Sequence, residues 1–313
     1  MKPPFDAILL IGFGGPEKSE DVHSFLHDVT RGLPIPPDRL ELVARQYHRI
    51  GGVSPYNRFT HEQAQALEKL LKARGLDIPV VLGFAHSAPR IADTLTALAR
   101  LEKTNLFAII MAPHRSPASF DKYVKRVEEA SKTIQAQGLP APRITYAPEW
   151  HARTGFIHAI EDRVKEAYAL LTKEEKDRHK AELIFTAHSI PREMAARSSY
   201  VLHFEETANL VTQRVGMPYY HVAYTSRSGR PEESWLEPDL TSFLERRGLE
   251  SLAACVVAPI GFLVDHVEVL YDIDVLAQER AKRSGIHMVR ARTVGTHPSF
   301  IAMMSSLVEE AIP

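Results

Sequence analysis

Cysteine is almost missing from this chain of 313 residues, in which Cys255 is the only one. A single thiol excludes an intramolecular disulfide, and it excludes an iron–sulfur cluster held by four cysteines of this chain. Cys255 lies within the apolar run Ala-Ala-Cys-Val-Val. We therefore expect its thiol to be buried in a strand and chemically inert.

An excess of charge and a long apolar run are also missing. The formal net charge is −1 at pH 7, so the composition gives no indication of a nucleic-acid partner. No uncharged apolar stretch approaches the roughly 20 residues of a membrane span, and the first residues do not resemble a signal peptide. We expect a cytoplasmic protein with at most peripheral membrane contact.

What the chain does contain is typical of a globular protein, with 44% hydrophobic and 25% charged residues. Apolar runs predict strands at 7–11, 79–84, 106–111, 143–147, 183–187, 219–225 and 253–259. Helical spacing predicts helices at 64–74, 91–100, 121–137, 156–171, 204–215, within 236–247, and at about 298–310. This alternation predicts an α/β fold with parallel sheets.

The alternation of strands and helices restarts in the middle of the chain. Its length leaves room for two domains with substantial cores. We place the boundary near Pro148, which gives an N-terminal domain of residues 1–147 and a C-terminal domain of residues 148–293. Two similar halves predict a cleft between them that holds the active site.

Two segments about 80 residues apart carry the strongest chemical signal. His188 lies in residues 185–191 (FTAHSIP) and Glu268 in residues 259–268 (PIGFLVDHVE). Each segment begins with or follows an apolar run that is typical of a buried strand, and it presents a histidine or a carboxylate where that strand should end. Ligands of α/β folds bind at such carboxyl ends. An imidazole and a carboxylate that meet there can hold a divalent metal or move protons.

Asp265, Glu268 and Asp272 are separated by three and four residues in the second segment. If the segment is helical, this spacing places the three carboxylates on one face. Such a row needs water, a metal or a cationic partner. Asp265 has the alternative role of capping the start of the helix, and His266 would point away from this face.

Several further motifs, taken in order, resemble the ferrochelatases, which insert ferrous iron into a porphyrin. The resemblance covers nearly the whole chain. It rests on residues 12–17 (GFGGPE), 29–32 (VTRG), 47–55 (YHRIGGVSP), 112–114 (APH), 185–191, 226–229 (SRSG), 235–239 (WLEPD) and 261–272 (GFLVDHVEVLYD).

The resemblance implies two Rossmann-like domains, with the C-terminal helix within residues 294–313 packing onto the first. It implies Fe²⁺ and a porphyrin as substrates and haem as the product. His188 and Glu268 are then the catalytic and metal-binding pair, and Asp265 and Asp272 are secondary acids of a metal relay. The imidazole of His188 could ligate iron or accept a pyrrole proton.

The same resemblance suggests which residues hold the porphyrin. Arg31, Tyr47, Ser54 and Tyr123 match positions that bind propionates in similar enzymes acting on coproporphyrin, and guanidinium pairs well with carboxylate. Phe13 would pack on the ring, next to glycines that let the backbone approach a flat macrocycle. The candidate supporting histidine is His86, a residue that is equally typical of a loop.

The glycine turn does not fit the G-x-G-x-x-G spacing, so we expect no nucleotide cofactor. Leu276 stands where many ferrochelatases have an acid, which shortens the line of carboxylates. Coproporphyrin III is the favoured substrate, and protoporphyrin IX is the alternative. A cobalt or nickel chelatase, a non-catalytic haem-binding protein and a double-Rossmann nucleotide enzyme also stay open. An iron donor and a haem-accepting enzyme also stay open as partners.

Overall fold

The computed structural model describes residues 4–32, 35–177, 181–227 and 233–312. These residues divide into two compact units. The first takes its described residues from Met1–Ala112, Pro117–Trp150 and Thr296–Pro313, and the second from Pro113–Ser116 and His151–Gly295. Ser228 and Gly229, which belong to one of the motifs above, lie outside the described residues.

The elements follow one another as alternating strands and helices. The strands are β1 (Ala7–Gly12), β2 (Val80–Phe84), β3 (Asn105–Ile110), β4 (Arg143–Tyr146), β5 (Ala181–His188), β6 (His221–Thr225), β7 (Ala254–Ala258) and β8 (His287–Arg290). The α-helices are α1 (Asp21–Val29), α2 (Pro37–Arg49), α3 (Tyr56–Ala73), α4 (Ile91–Arg100), α5 (Lys122–Ala136), α6 (Thr154–Ala169), α7 (Lys173–Asp177), α8 (Arg192–Ala196), α9 (Tyr200–Val215), α10 (Leu240–Leu249), α11 (Gln278–Arg283) and α12 (Pro298–Glu310). Pro117–Asp121 and Glu268–Ala277 are π-helical.

The first unit contains a parallel sheet in the order β2-β1-β3-β4. All residues of β1 are buried, as expected for a central strand covered on both faces. The chain leaves β1 for β2 on one side and returns to β3 on the other, so the strand order reverses between β1 and β3. Ligands of α/β sheets commonly bind at the carboxyl ends of the strands where the strand order reverses, and in this sheet those strands are β1 and β3.

The second unit repeats this arrangement with the order β6-β5-β7-β8, again with parallel pairing. Its reversal point lies between β5 and β7. β5 ends at His188, and the chain that leaves β7 leads to Glu268. The two segments singled out by the sequence therefore leave the sheet at its reversal point.

The predicted strands begin and end within two residues of the observed ones. Most of them are buried apolar runs, whereas β4 alternates exposed and half-buried residues. β8 was missed. It has only four residues, and its burial alternates weakly, so its pattern is too short to distinguish from a loop. Among the described residues, no helix is long and apolar enough to cross a bilayer. Cys255 is fully buried in β7, and burial raises the pKa of its thiol.

Candidate functional site

His188 and Glu268 meet in the second unit, with 2.9 Å between Nδ1 of the imidazole and Oε2 of the carboxylate. The residues of β5 before His188 are buried, and His188 is the first whose side chain is partly exposed, at 29%. Glu268 is 31% exposed. The pair therefore lies at the end of a buried strand but remains accessible to a small ligand.

The backbone around His188 is fixed by hydrogen bonds from neighbouring elements. Tyr200, at the start of α9, donates its hydroxyl to the carbonyl oxygen of His188 at 2.8 Å. The N–H of Ser189 donates to the carbonyl of Thr225 at the end of β6. Tyr200 was not singled out from the sequence, because no local pattern shows that its hydroxyl reaches a residue twelve positions earlier.

Glu268 reaches His188 because the loop after β7 packs closely on the end of β5. A Cβ atom on Gly261 would lie 2.5 Å from the Cβ of Ala187, closer than side chains tolerate. The N–H of Gly261 also donates to the carbonyl of Thr186 at 3.2 Å. The side chain of His266 then accepts the N–H of Glu268 at 3.2 Å. Position 261 therefore requires glycine, because the loop backbone lies too close to Ala187 for a side chain to fit.

Electrostatics favour a charged pair. Burial alone lowers the pKa of His188, but the Glu268 carboxylate outweighs it, so the pKa of His188 is raised. Burial likewise tends to raise the pKa of Glu268, but the His188 charge and hydrogen bond hold it below its ordinary value. The carboxylate of Glu268 therefore stabilises the protonated form of the His188 imidazole.

Asp272 is the second acid near the pair. Burial, supported by the Glu268 charge, raises the pKa of Asp272 to about 7, although a hydrogen bond from Ser226 opposes this shift. The hydroxyl of Ser226 donates to Oδ2 of Asp272. Ser226 directly follows β6 and has a φ of 65°, a left-handed conformation that costs a serine roughly 1 to 3 kcal/mol. A strained residue at a strand end, beside His188, Glu268 and Asp272, is a further candidate site residue. The motif at 226–229 contains Ser226, but the sequence did not indicate its role.

Asp265 does not share a face with Glu268 and Asp272, and the predicted row of three acids is wrong. The helical segment begins at Val267, so Asp265 lies in the preceding loop. Its carboxylate accepts hydrogen bonds from Arg290 at 3.1 and 3.3 Å and from Thr293 at 2.9 Å. Asp274 binds the same guanidinium at 2.6 and 3.0 Å. Asp265 does not cap the helix, since His266 accepts the first N–H instead.

The candidate porphyrin residues belong to the first unit. The ring of Phe13 lies 4.8 Å from that of His86 and 6.0 Å from that of Phe25, measured between centroids. Asp28 binds His86 at 2.9 Å and Arg31 at 2.6 Å. The side chain of Arg31 is 79% exposed. Burial, opposed by Asp28, lowers the pKa of His86 to about 4, so its neutral ring donates Nδ1–H to Asp28.

Tyr47, Ser54 and Tyr123 are buried within the first unit. The ring of Tyr47 lies 6.1 Å from that of Phe25, and Tyr123 belongs to the hydrophobic core around β1 and β3. The hydroxyl of Ser54 accepts the N–H of Tyr56 at 3.3 Å. These side chains are therefore surrounded by the chain's own atoms, unlike the exposed Arg31.

Gly12 at the end of β1 and the two glycines that follow it are explained by contacts within the chain, which differs from the expected role of admitting a macrocycle. A Cβ on Gly12 would lie 2.6 Å from the hydroxyl of Tyr56, and one on Gly15 would lie 2.7 Å from the Cβ of Ser54. Gly14 has a φ of 90°. The space that side chains would need is already filled, so these glycines permit the tight turn itself.

Comparisons with known proteins add an independent observation. A family model described as Ferrochelatase matches residues 5–312. The chain is 35% identical over 311 residues to the protein named Ferrochelatase from Rhodopirellula baltica, covering 99% of this chain and 87% of that protein. It is 37% identical over 322 residues to the Coproporphyrin III ferrochelatase of Streptomyces griseus, covering 98% and 85% respectively.

The fold is also similar to that of a solved chelatase. The sirohydrochlorin chelatase SirB from Bacillus subtilis subspecies spizizenii, in complex with cobalt, superposes with a TM-score of 0.55, covering 98% of this chain and 95% of that chain. The two sequences are 13% identical. At this identity the likeness shows a shared two-domain fold of parallel sheets flanked by helices, and nothing about the substrate.

Proposed function

This chain belongs to the ferrochelatase family, and we propose that coproporphyrin III is the porphyrin into which it inserts Fe²⁺ to form the haem product. Support for the substrate comes from relatives at 34 to 37% identity that are named coproporphyrin III ferrochelatases, among them proteins of Streptomyces and Mycolicibacterium. Support for the chemistry comes from the 2.9 Å contact between His188 and Glu268 at the end of β5.

The reaction requires the porphyrin to lose two protons as one Fe²⁺ enters, so a proton acceptor must lie near the metal. We propose that His188 is this acceptor. With Nδ1 held by Glu268, Nε2 is the nitrogen that can take a pyrrole proton, and the imidazolium that results is stabilised by the carboxylate. The raised pKa of His188 favours this role.

The same two side chains also suit the iron itself. Imidazole and carboxylate are both ligands of Fe²⁺, and the contact brings one of each within reach of a common ion. Asp272, whose pKa of about 7 lets it release or accept a proton near neutral pH, would relay protons away from the pair through its position beside Ser226. Asp265 is better explained as the partner of Arg290 than as part of this relay.

For the macrocycle, we propose that Phe13 contacts the ring and that Arg31 pairs with a propionate. Arg31 combines an exposed guanidinium with an acid, Asp28, that orients it. Tyr47 and Ser54 would act by supporting Phe25 and the glycine turn, since both are buried. Tyr123 would stabilise the core of the same unit, and His86 would support Phe13 from behind.

The substrate proposal is tested by anaerobic Fe²⁺ insertion followed by visible absorbance, with coproporphyrin III and protoporphyrin IX offered separately. We expect loss of the free-base bands at substoichiometric enzyme and a higher kcat/KM for coproporphyrin III. A clear preference for protoporphyrin IX would overturn the substrate assignment while leaving the chelatase activity in place.

A further inference from the structure

A second group of histidines, which does not include His188, lies in the second unit. His151 precedes α6, and His203 lies in α9, one turn after Tyr200. Their rings stack with centroids 3.8 Å apart and an angle of 12° between the planes. One ring nitrogen of His151 and one of His203 lie within 4.8 Å of each other, close enough for both to bind one metal ion after a small movement.

His151 is arranged like a metal ligand. Its Nε2 lies 2.8 Å from Oε2 of Glu206, one turn beyond His203 on α9. When the imidazole is neutral, this contact assigns the proton to Nε2 and leaves the lone pair on Nδ1. That Nδ1 atom is buried and has no hydrogen-bond partner among the described residues. A carboxylate that holds one nitrogen while the other is bare is how proteins orient histidine ligands of metals.

Thr207 fixes the backbone of this group. Its hydroxyl lies 2.9 Å from the carbonyl oxygen of His203 and 3.1 Å from that of His151. The same hydroxyl lies 3.2 Å from Nε2 of His114. The hydroxyl has a single proton, which it donates towards the carbonyl oxygens, so in its contact with His114 it acts as the acceptor. Nε2 of His114 therefore carries the proton in that contact. The Nδ1 atom of buried His114 is then bare as well, and it too has no hydrogen-bond partner in the described ranges.

A bare imidazole nitrogen away from water is costly unless something binds it. We infer that His151 and His203 form a second site for a divalent transition-metal ion, with Glu206 orienting His151. Imidazole nitrogens select borderline ions such as Fe²⁺, Co²⁺ and Zn²⁺ over Mg²⁺ and Ca²⁺. Parallel rings cannot both direct their lone pairs at one ion, so binding turns one ring about its Cβ–Cγ bond.

The site uses other residues than the proposed iron-insertion pair, and helix α9 contacts both groups. Tyr200, which holds the backbone of His188, and His203, which supplies an imidazole, lie three residues apart on α9. The inference does not depend on the proposed function, because it rests on the histidine group alone.

Binding of Co²⁺ to the untagged full chain, measured by equilibrium dialysis and by visible d–d absorption, tests the second site. We expect two ions per wild-type chain if the His188–Glu268 pair also binds, and one fewer ion in the double variant His151→Ala/His203→Ala. The double variant His188→Ala/Glu268→Gln should keep the ion at the histidine group. If the pair does not bind Co²⁺, the counts become one for the wild type and none for His151→Ala/His203→Ala.

Two single variants separate binding from folding defects. Glu206→Gln keeps the shape of a half-exposed side chain and should weaken Co²⁺ binding at the histidine group roughly 10- to 100-fold. His158→Ala, an exposed histidine on α6, should bind normally. Unchanged stoichiometry and affinity in His151→Ala/His203→Ala, or no difference between Glu206→Gln and His158→Ala, would overturn the inference.

Discussion

The imidazole of His188 is held at one nitrogen and at its backbone, and this determines what the residue can do. Glu268 binds Nδ1, and Tyr200 binds the carbonyl oxygen. A ring restrained at both points presents Nε2 in a fixed direction, which reduces the cost of arranging a proton transfer. The sequence indicated both members of the pair, because each follows an apolar run where a strand ends. It could not indicate Tyr200, whose contact depends on how α9 packs.

At Asp272 the structure predicts an unusual dependence of stability on pH. Its pKa is 3.8 in an ordinary environment and about 7 in the folded chain. Between these values the folded state binds more protons than the unfolded state, so the free energy of unfolding decreases as pH rises. The decrease is complete above pH 7 and amounts to at most about 4 kcal/mol.

Asp272→Asn removes this titration, and it should reduce the loss of stability between pH 5 and pH 8. Urea unfolding of the wild type and the variant at both pH values measures the difference. Asp77→Asn, at an exposed acid of the first unit, provides the control and should behave like the wild type. Parallel pH dependences for Asp272→Asn and the wild type would show that Asp272 is ionised in the folded chain well below pH 7.

Glu268 lies at the junction of a loop and a π-helix, and the spacing of residues in the sequence could predict neither. Ordinary helical spacing placed Asp265 on the face of Glu268, but the helical segment begins only at Val267. Arg290 at the end of β8 then binds both Asp265 and Asp274, which ties the loop and the π-helix to the sheet. Because β8 was not predicted, its arginine could not be placed either.

Gly261 of this loop packs directly against Ala187 of β5, so Gly261→Ala should displace the loop. We expect a loss of about 1 to 3 kcal/mol in the free energy of unfolding, as for other overpacked positions. Iron insertion should decrease as well, because Glu268 follows the loop.

Adding Ala187→Gly removes the atom that the new methyl group would meet at 2.5 Å. The double variant should therefore recover part of the stability, although glycine within a strand costs about 0.5 to 1 kcal/mol by itself. Urea unfolding of the single and double variants forms a double-mutant cycle. Strictly additive effects would mean that the two residues do not press on each other.

At the scale of the whole molecule, the two units repeat one topology with different chemistry at their strand ends. In both, the order reverses beside the first strand of the unit, at β1 and at β5. β1 leads to Phe13 and a glycine turn, whereas β5 ends at a titratable imidazole. The alternation of apolar runs was enough to predict every strand of the two sheets except β8, because parallel strands buried on both faces have a strong signature.

The burial of side chains in the segments that connect the strands was harder to predict than the strands themselves. Tyr47, Ser54 and Tyr123 were expected to face a ligand, yet all three are buried in the folded chain. A tyrosine suits a core and a binding surface equally well, since it has both an apolar ring and a polar hydroxyl. Only the packing of the surrounding helices distinguishes the two.

The most direct test of the central claim is the initial rate of anaerobic Fe²⁺ insertion into coproporphyrin III by the wild type, by Glu268→Gln and by Glu279→Gln. Glutamine cannot stabilise the His188 imidazolium, so Glu268→Gln should lose activity roughly 100-fold or more. Glu279→Gln changes a half-exposed acid on α11 and should match the wild type. A near-normal rate for Glu268→Gln, with the protein folded, would contradict the assignment of the His188–Glu268 pair as the site of iron insertion.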